Sequence, residues 1–371
     1  MAFASYKVMR ASCQMGWPAQ VKNCLLCVML KRFLLFIAPA ALLISCNGGA
    51  GKKENAAPED STVARLKSPE LKAVNEKLKA TPNNPDLYLE RGKVYLKLND
   101  FDAAVADGNR ALKLDSTRDA YYLFLTDAYF YGNHTRQAKD ILERCVKNIP
   151  TSTEGFLKLA ELFFYVKKYQ ESINNINSAL KIDETLAKGY FLKGMCYKEM
   201  GDTALAVSSF QTACEQDNEY YDAFVETGRL FALKKNPLAL QYYTTALNIN
   251  PKSTEVAYMI GKFYQDAKKY PQAIDMYEKL LKMDPKYKNA LYNLGAITFV
   301  YNKDHEKAMG YFTRAIDADP QYAEAYLARG ICYEEIKDYD NAIADYKMAA
   351  QYKPNFEAAI TNLNRLLEKK K

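Results

Sequence analysis

Histidine is nearly missing from this chain: 371 residues hold two, His134 and His305. They stand in separate polar segments, Gly-Asn-His-Thr and Lys-Asp-His-Glu. A histidine-based metal centre or a His-driven acid–base pair therefore has no support. Tryptophan occurs once, at Trp17. No Gly-rich phosphate loop follows a strand, and no alternating strand pattern is evident. No apolar run reaches the ~18 residues that a membrane-spanning helix needs. Catalytic, cofactor-binding and metal-binding residues are all expected to be none, and the chain reads as a non-enzyme.

An excess of one charge sign is also lacking, once the first 46 residues are set aside. The chain carries 51 basic and 44 acidic residues, a net of +7. Residues 1–46 contain Lys7, Arg10, Lys22, Lys31 and Arg32 and no acid, so the remainder holds 46 basic residues against 44 acidic, a net of +2. The apparent basicity belongs to the N-terminus and gives no support for nucleic-acid binding.

That N-terminus reads as an address. Lys31-Arg32 precede a 12-residue apolar run, Phe33 to Ile44, the length of a signal-peptide core. It ends Leu43-Ile44-Ser45-Cys46, which resembles a bacterial lipobox; the resemblance implies lipidation at Cys46 and cleavage just before it. Residues 29–45 are then the lipoprotein signal. Residues 1–28, with Cys13, Cys24 and Cys27, fit no pattern and are expected to be an upstream extension, translation starting at Met29. Residues 46–68 form the lipidated cysteine and a Gly-rich polar tether. Flexible linkers of such length span roughly 25 Å. Asn47 is not aspartate, so the enterobacterial inner-membrane retention signal is missing and the outer membrane is favoured, facing either the periplasm or the outside.

What is abundant is self-similarity. From residue 85 the chain repeats about every 34 residues. Position 8 is small: Gly92, Thr126, Ala160, Gly194, Gly228, Gly261, Gly295, Gly330. Position 11 is aromatic except at Thr298, from Tyr95 through to Tyr333. Position 20 is small throughout, Ala104 to Ala342, and position 27 is Ala in six of eight cases, with Cys145 and Leu280 as the exceptions. Proline recurs near position 32, at Pro150, Pro251, Pro285, Pro320 and Pro354. Spacings of three and four place positions 4, 8 and 11 on one helix face and 20, 24 and 27 on one face of a second.

These motifs resemble the tetratricopeptide repeat, a helix–turn–helix unit of 34 residues. The resemblance implies an all-α fold: a right-handed superhelical solenoid of eight units, 85–118, 119–152, 153–186, 187–220, 221–253, 254–287, 288–322 and 323–356. Unit five is one residue short and unit seven one long, each in its turn. Gly108 departs from the pattern at position 24. Residues 69–84 are expected as an N-terminal cap helix, with Ser68 as N-cap. Residues 357–371 are expected as a C-terminal cap, with Ala359, Ile360, Leu363 and Leu367 on one stripe.

Of the four cysteines in the repeats, Cys145 replaces a packing alanine. Cys196 and Cys214 fall at positions 10 and 28 of unit four, able to face each other, although buried free thiols are the expected state.

The resemblance assigns positions 2, 5, 6, 9, 12 and 13 of each first helix to a concave groove. The candidates include Leu123, Phe124, Asp127, Phe130, Tyr131, Leu157, Lys158, Glu161, Phe164, Tyr165, Phe191, Leu192, Tyr258, Met259, Lys262, Tyr292, Asn293 and Phe299. About half are expected to pack against neighbouring repeats. Phe124, Tyr131, Tyr165, Tyr258 and Tyr292 are the partner-binding anchors expected to contribute most. The architecture implies a lipid-anchored protein–protein interaction scaffold at the bacterial envelope. Its partners are another envelope protein or peptide through the groove and the membrane through the anchor. A carbohydrate-binding lipoprotein of a nutrient-uptake system and an envelope enzyme with an unrecognised site are the alternatives. No motif sets the oligomeric state.

Overall fold

The computed structural model describes residues 68–369. The expectations for residues 1–28, the signal 29–45, Cys46 and the tether up to residue 67 lie outside these. Among the described residues there are eighteen α-helices and no strand. None is long and apolar enough to cross a membrane. The chain divides into two compact units at Asp217/Asn218, in the turn that ends repeat four.

The first unit holds α1 (Pro69–Ala80), α2 (Pro85–Lys97), α3 (Phe101–Leu114), α4 (Asp119–Tyr131), α5 (Thr135–Asn148), α6 (Thr153–Tyr165), α7 (Tyr169–Ile182), α8 (Ala187–Met200) and α9 (Thr203–Gln216). The cap α1 begins where expected: the Ser68 side chain accepts the Leu71 N–H at 3.3 Å, and Pro69 occupies the first turn. Four helix pairs follow, one per repeat. Consecutive first helices touch, α2 with α4 and α6 with α8.

The second unit holds α10 (Tyr221–Leu233), α11 (Leu238–Ile249), α12 (Thr254–Asp266), α13 (Tyr270–Met283), α14 (Lys288–Ile297), α15 (His305–Ala318), α16 (Ala323–Glu335), α17 (Tyr339–Tyr352) and α18 (Glu357–Lys369). The terminal stripe differs from the expectation. Leu366 is buried with Ala359, while Ile360 and Leu367 are exposed. Residues 359, 363 and 366 follow the i, i+4, i+7 spacing of a single face, which 360 and 367 do not share.

Every turn between the two helices of a repeat is built alike. One residue takes a left-handed conformation: Asn99, Asn133, Lys167, Gly201, Lys235, Lys268, Lys303 and Lys337. Its N–H and the next close the helix end, as where Lys268 and Lys269 donate to Gln265 and Tyr264 carbonyls at 2.9 and 2.8 Å. Only one of the eight is glycine, so the others sustain a cost of roughly 1 kcal/mol each. Repeat seven is the exception in shape. Its extra residue is absorbed in a π-helical turn, Thr298–Asn302, which continues α14.

The packing explains the sequence code. All eight residues at position 20 and all eight at position 27 are fully buried. Position 8 answers position 24. In repeats four to eight a ring at position 24 packs against the position-8 glycine: Phe210 on Gly194, Tyr243 on Gly228, Tyr277 on Gly261, Phe312 on Gly295 and Tyr346 on Gly330. A Cβ at any of these glycines would sit 2.6–2.7 Å from a ring carbon. Where position 24 is smaller, as at Leu142 and Ile176, position 8 grows to Thr126 and Ala160. Volume is conserved across the pair, as close packing requires.

Repeat one breaks this rule twice, with Gly92 at position 8 and Gly108 at position 24. The missing ring comes from the next repeat. Phe124 of α4 reaches over both, so that a Cβ on Gly92 would lie 2.4 Å from its Cζ. Phe124 is 5% exposed and packs with Ala104 and Ala128.

Candidate functional site

The first helices carry the candidate face, and the five expected anchors do not share one fate. Phe124 is corrected from a binding anchor to a core residue, because the hole left by Gly92 and Gly108 draws its ring inward. Tyr131, Tyr165, Tyr258 and Tyr292 are half-buried.

In the first unit, Phe130 touches both remaining anchors. Tyr131 meets it edge-on, centroids 6.4 Å apart, and Tyr165 packs on it beside Ala138. Burial pushes the Tyr165 hydroxyl above its ordinary pKa. In the second unit the tyrosines are held from both sides. The Tyr258 ring lies 5.9 Å from Tyr277 and 5.5 Å from Tyr287, and its hydroxyl accepts Asn293 Nδ2 at 3.3 Å. Tyr292 stands between Phe312 at 5.7 Å and Tyr322 at 5.5 Å. Tyr165 thus joins repeat three to Phe130 of repeat two, while the rings around Tyr258 and Tyr292 belong to their own repeats. Among the other candidates, Phe130, Leu157, Leu192, Glu161 and Asn293 are buried, and Lys262 is exposed, paired with Asp266.

Charged groups on the same face form stitches that the groove reading did not anticipate. Lys158 donates to Asp127 at 2.6 Å, joining α6 to α4. Lys188 on α8 meets Glu161 at 3.0 Å and Glu154 at 3.5 Å. Burial raises the Asp127 carboxyl pKa, against the pull of Lys158. In the second unit, Arg229 bridges Glu226 on its own helix and Glu255 on α12, at 3.8 and 3.1 Å. Asp222 lies in the field of both carboxylates. Burial first, then Glu226 and Glu255, push it up to about 6.

A second kind of stitch joins the two helices of a repeat to the helix before them. Arg91 forks onto Asp107 at 2.6 and 2.8 Å and reaches Asn75; Arg329 forks onto Asp345 at 2.8 Å and reaches Thr313. Both arginines are at position 7 and both aspartates at position 23. That shared spacing of 16 residues was the available signal.

The thiols are shielded. Cys145, Cys196, Cys214 and Cys332 are buried and not disulfide-bonded, so Cys196 and Cys214 do not bridge. Burial pushes Cys145 and Cys196 up to about 11 and Cys332 up to about 12, too high for a thiolate nucleophile near neutrality.

Comparison with known proteins agrees with this geometry. Models of the tetratricopeptide repeat match residues 85–118 and 187–220, which are repeats one and four, and residues 258–321 and 296–359. A BBSome complex member BBS4 homolog from Drosophila melanogaster is 21% identical over 293 residues, covering 76% of this chain and 60% of that protein. Human DnaJ homolog subfamily C member 7 is 23% identical over 309 residues, covering 76% of this chain and 56% of that protein. The chain thus spans less than two thirds of these relatives. The solved C-terminal part of a TPR repeat-containing protein from Cytophaga hutchinsonii superposes with a TM-score of 0.56 at 20% identity, over 64% of this chain and 98% of that one. Identity this low bears on the fold alone. Eight helix pairs with small residues buried at positions 20 and 27, together with these matches, make the chain a member of the tetratricopeptide repeat family.

Proposed function

We propose that this protein is a lipid-anchored scaffold of the bacterial outer membrane that binds another envelope protein or peptide on the face of its first helices. The observation that carries the binding half of the reading is the pair Tyr131 and Tyr165, half-buried around Phe130 with the Asp127–Lys158 pair on the same helices. Rigid aromatic surface beside fixed charge suits an extended segment or helix with apolar anchors. The anchor half rests on Leu43-Ile44-Ser45-Cys46 after the apolar run. One relative is itself named as a member of a complex.

Photo-crosslinking in intact envelopes tests the reading. A crosslinking residue in place of Tyr131 or Tyr165 is expected to trap one discrete envelope protein. One in place of Glu143, exposed on α5, is expected to trap none. Equal capture from all three sites refutes the assignment of the face.

A further inference from the structure

The turns of the two repeats of irregular length in the second unit hold the most exposed large apolar side chains among the described residues; regular turns expose Val166, Met200 and Ile336 at 47–49%. In repeat five, one residue short, Leu233 is 76% exposed at the end of α10 and Leu238 is exposed at the start of α11. In repeat seven, one residue long, the π-helical turn presents Val300 at 65% and Tyr301 at 52% exposure. The turn of repeat six lies between them in sequence, and the Tyr270 ring meets Tyr301 at a tilt of 46° with centroids 5.0 Å apart, so turns six and seven adjoin.

The same three turns carry Lys234, Lys235, Lys268, Lys269 and Lys303, all exposed. Three of these hold the left-handed position, where a lysine is conformationally costly and glycine would be free of strain. The carboxylates nearby are Asp266, paired with Lys262, Asp304, which caps α15 through the Lys307 N–H at 2.9 Å, and Glu306, exposed beside Lys307, so the five lysines outnumber them. The run of lysines ends at repeat eight, whose turn also exposes Ile336 and Tyr339 but sets Glu335, Asp338 and Asp340 beside Lys337.

We propose that the turn edge of repeats five to seven rests on an anionic lipid surface. Apolar tips flanked by lysines match a headgroup layer, into which the tips dip while the ammonium groups stay among phosphates. Each lysine close to such a surface strengthens binding by about fivefold, so five of them act appreciably only together. The proposal deepens the reading of the protein as membrane-anchored, because a tethered chain meets the surface at high effective concentration.

Amide hydrogen exchange of the full chain tests it, comparing vesicles of phosphatidylglycerol and phosphatidylcholine in equal parts with vesicles of phosphatidylcholine alone. The neutral vesicles control for the apolar segment 33–44. Expected is slower exchange in residues 232–238, 267–270 and 299–304 on the anionic vesicles only, reversed at about 1 M salt, where screening acts within about 3 Å. Lys234→Glu with Lys268→Glu is expected to weaken vesicle affinity by more than about tenfold. Leu233→Ser with Val300→Ser, both at exposed sites, is expected to abolish the protection while leaving helicity unchanged. Unchanged exchange in the three turns, or equal protection on neutral vesicles, overturns the proposal. Lipidation of Cys46 is read separately, by the mass of the processed chain, so failure of the anchor and failure of the turn edge are told apart.

Discussion

Gly261→Ala offers a direct test of the packing rule that links positions 8 and 24. On helix propensity alone this change stabilises α12 by about 1 kcal/mol. The structure reverses that expectation. The new methyl would stand 2.6 Å from Tyr277 Cε1 and 2.8 Å from Cδ1. The ring has no room to withdraw. It is fully buried, its hydroxyl donates to Gln265 Oε1 at 2.8 Å, and Asn293 Nδ2 donates to it at 3.0 Å. Overpacking of this severity costs about 3 kcal/mol, the upper part of the usual range. The expected net is a loss of about 2 kcal/mol. Adding Tyr277→Leu makes an Ala–Leu pair that approximates the Ala160–Ile176 arrangement of repeat three, and the double variant is expected to recover at least ~1 kcal/mol relative to the sum of the single changes. Urea unfolding followed by far-UV circular dichroism measures the total. Amide exchange in α12 and α13 localises it, which matters because a repeat array need not unfold as one unit. A Gly261→Ala protein that gains ~1 kcal/mol, or a strictly additive double variant, refutes the rule.

Phe124→Ala is expected to lose roughly 3–5 kcal/mol by emptying the site over Gly92 and Gly108, measured by the same unfolding assay. Tyr165→Ala should cost about 1 kcal/mol or less and instead reduce capture of envelope partners in a pull-down. Asp222→Asn should make stability less dependent on pH. The folded carboxyl titrates at about 6, above its ordinary 3.8, so the wild-type protein loses stability as pH rises through that interval. The variant is expected to be more stable by about 1–3 kcal/mol above pH ~6 and equal to wild type below ~3.8, read from denaturation midpoints across pH. Cys46→Ala is expected to leave the protein unlipidated and absent from the membrane fraction. Retention that only detergent reverses would show another anchor.

The sequence made the repeat legible because its main constraint is steric and local. A helix pair that closes to contact distance needs small residues at fixed positions, and those positions recur visibly from Gly92 to Ala349. The end of each repeat was equally readable from its prolines. Phe124 was misread because the reason for its burial lies in two glycines of a different repeat, and position 6 carries no mark of that debt. The stitches were hidden for a similar reason. Lys158 and Asp127 are 31 residues apart and meet only once two first helices stand side by side. In the terminal helix, Leu366 and Leu367 are adjacent and chemically identical, so only the docked orientation decides which is buried.

The ring that Phe124 lends to repeat one shifts a seam. By sequence, the first module closes at Arg118; by packing, it closes only at the end of α4. Any rearrangement that copied, deleted or transplanted residues 85–118 as a cassette would carry away a socket without its plug. A cut placed after Tyr131 would keep them together. In this stretch the unit of inheritance and the unit of cohesion are offset by one helix, and repeat one is filled only once the first helix of repeat two is in place.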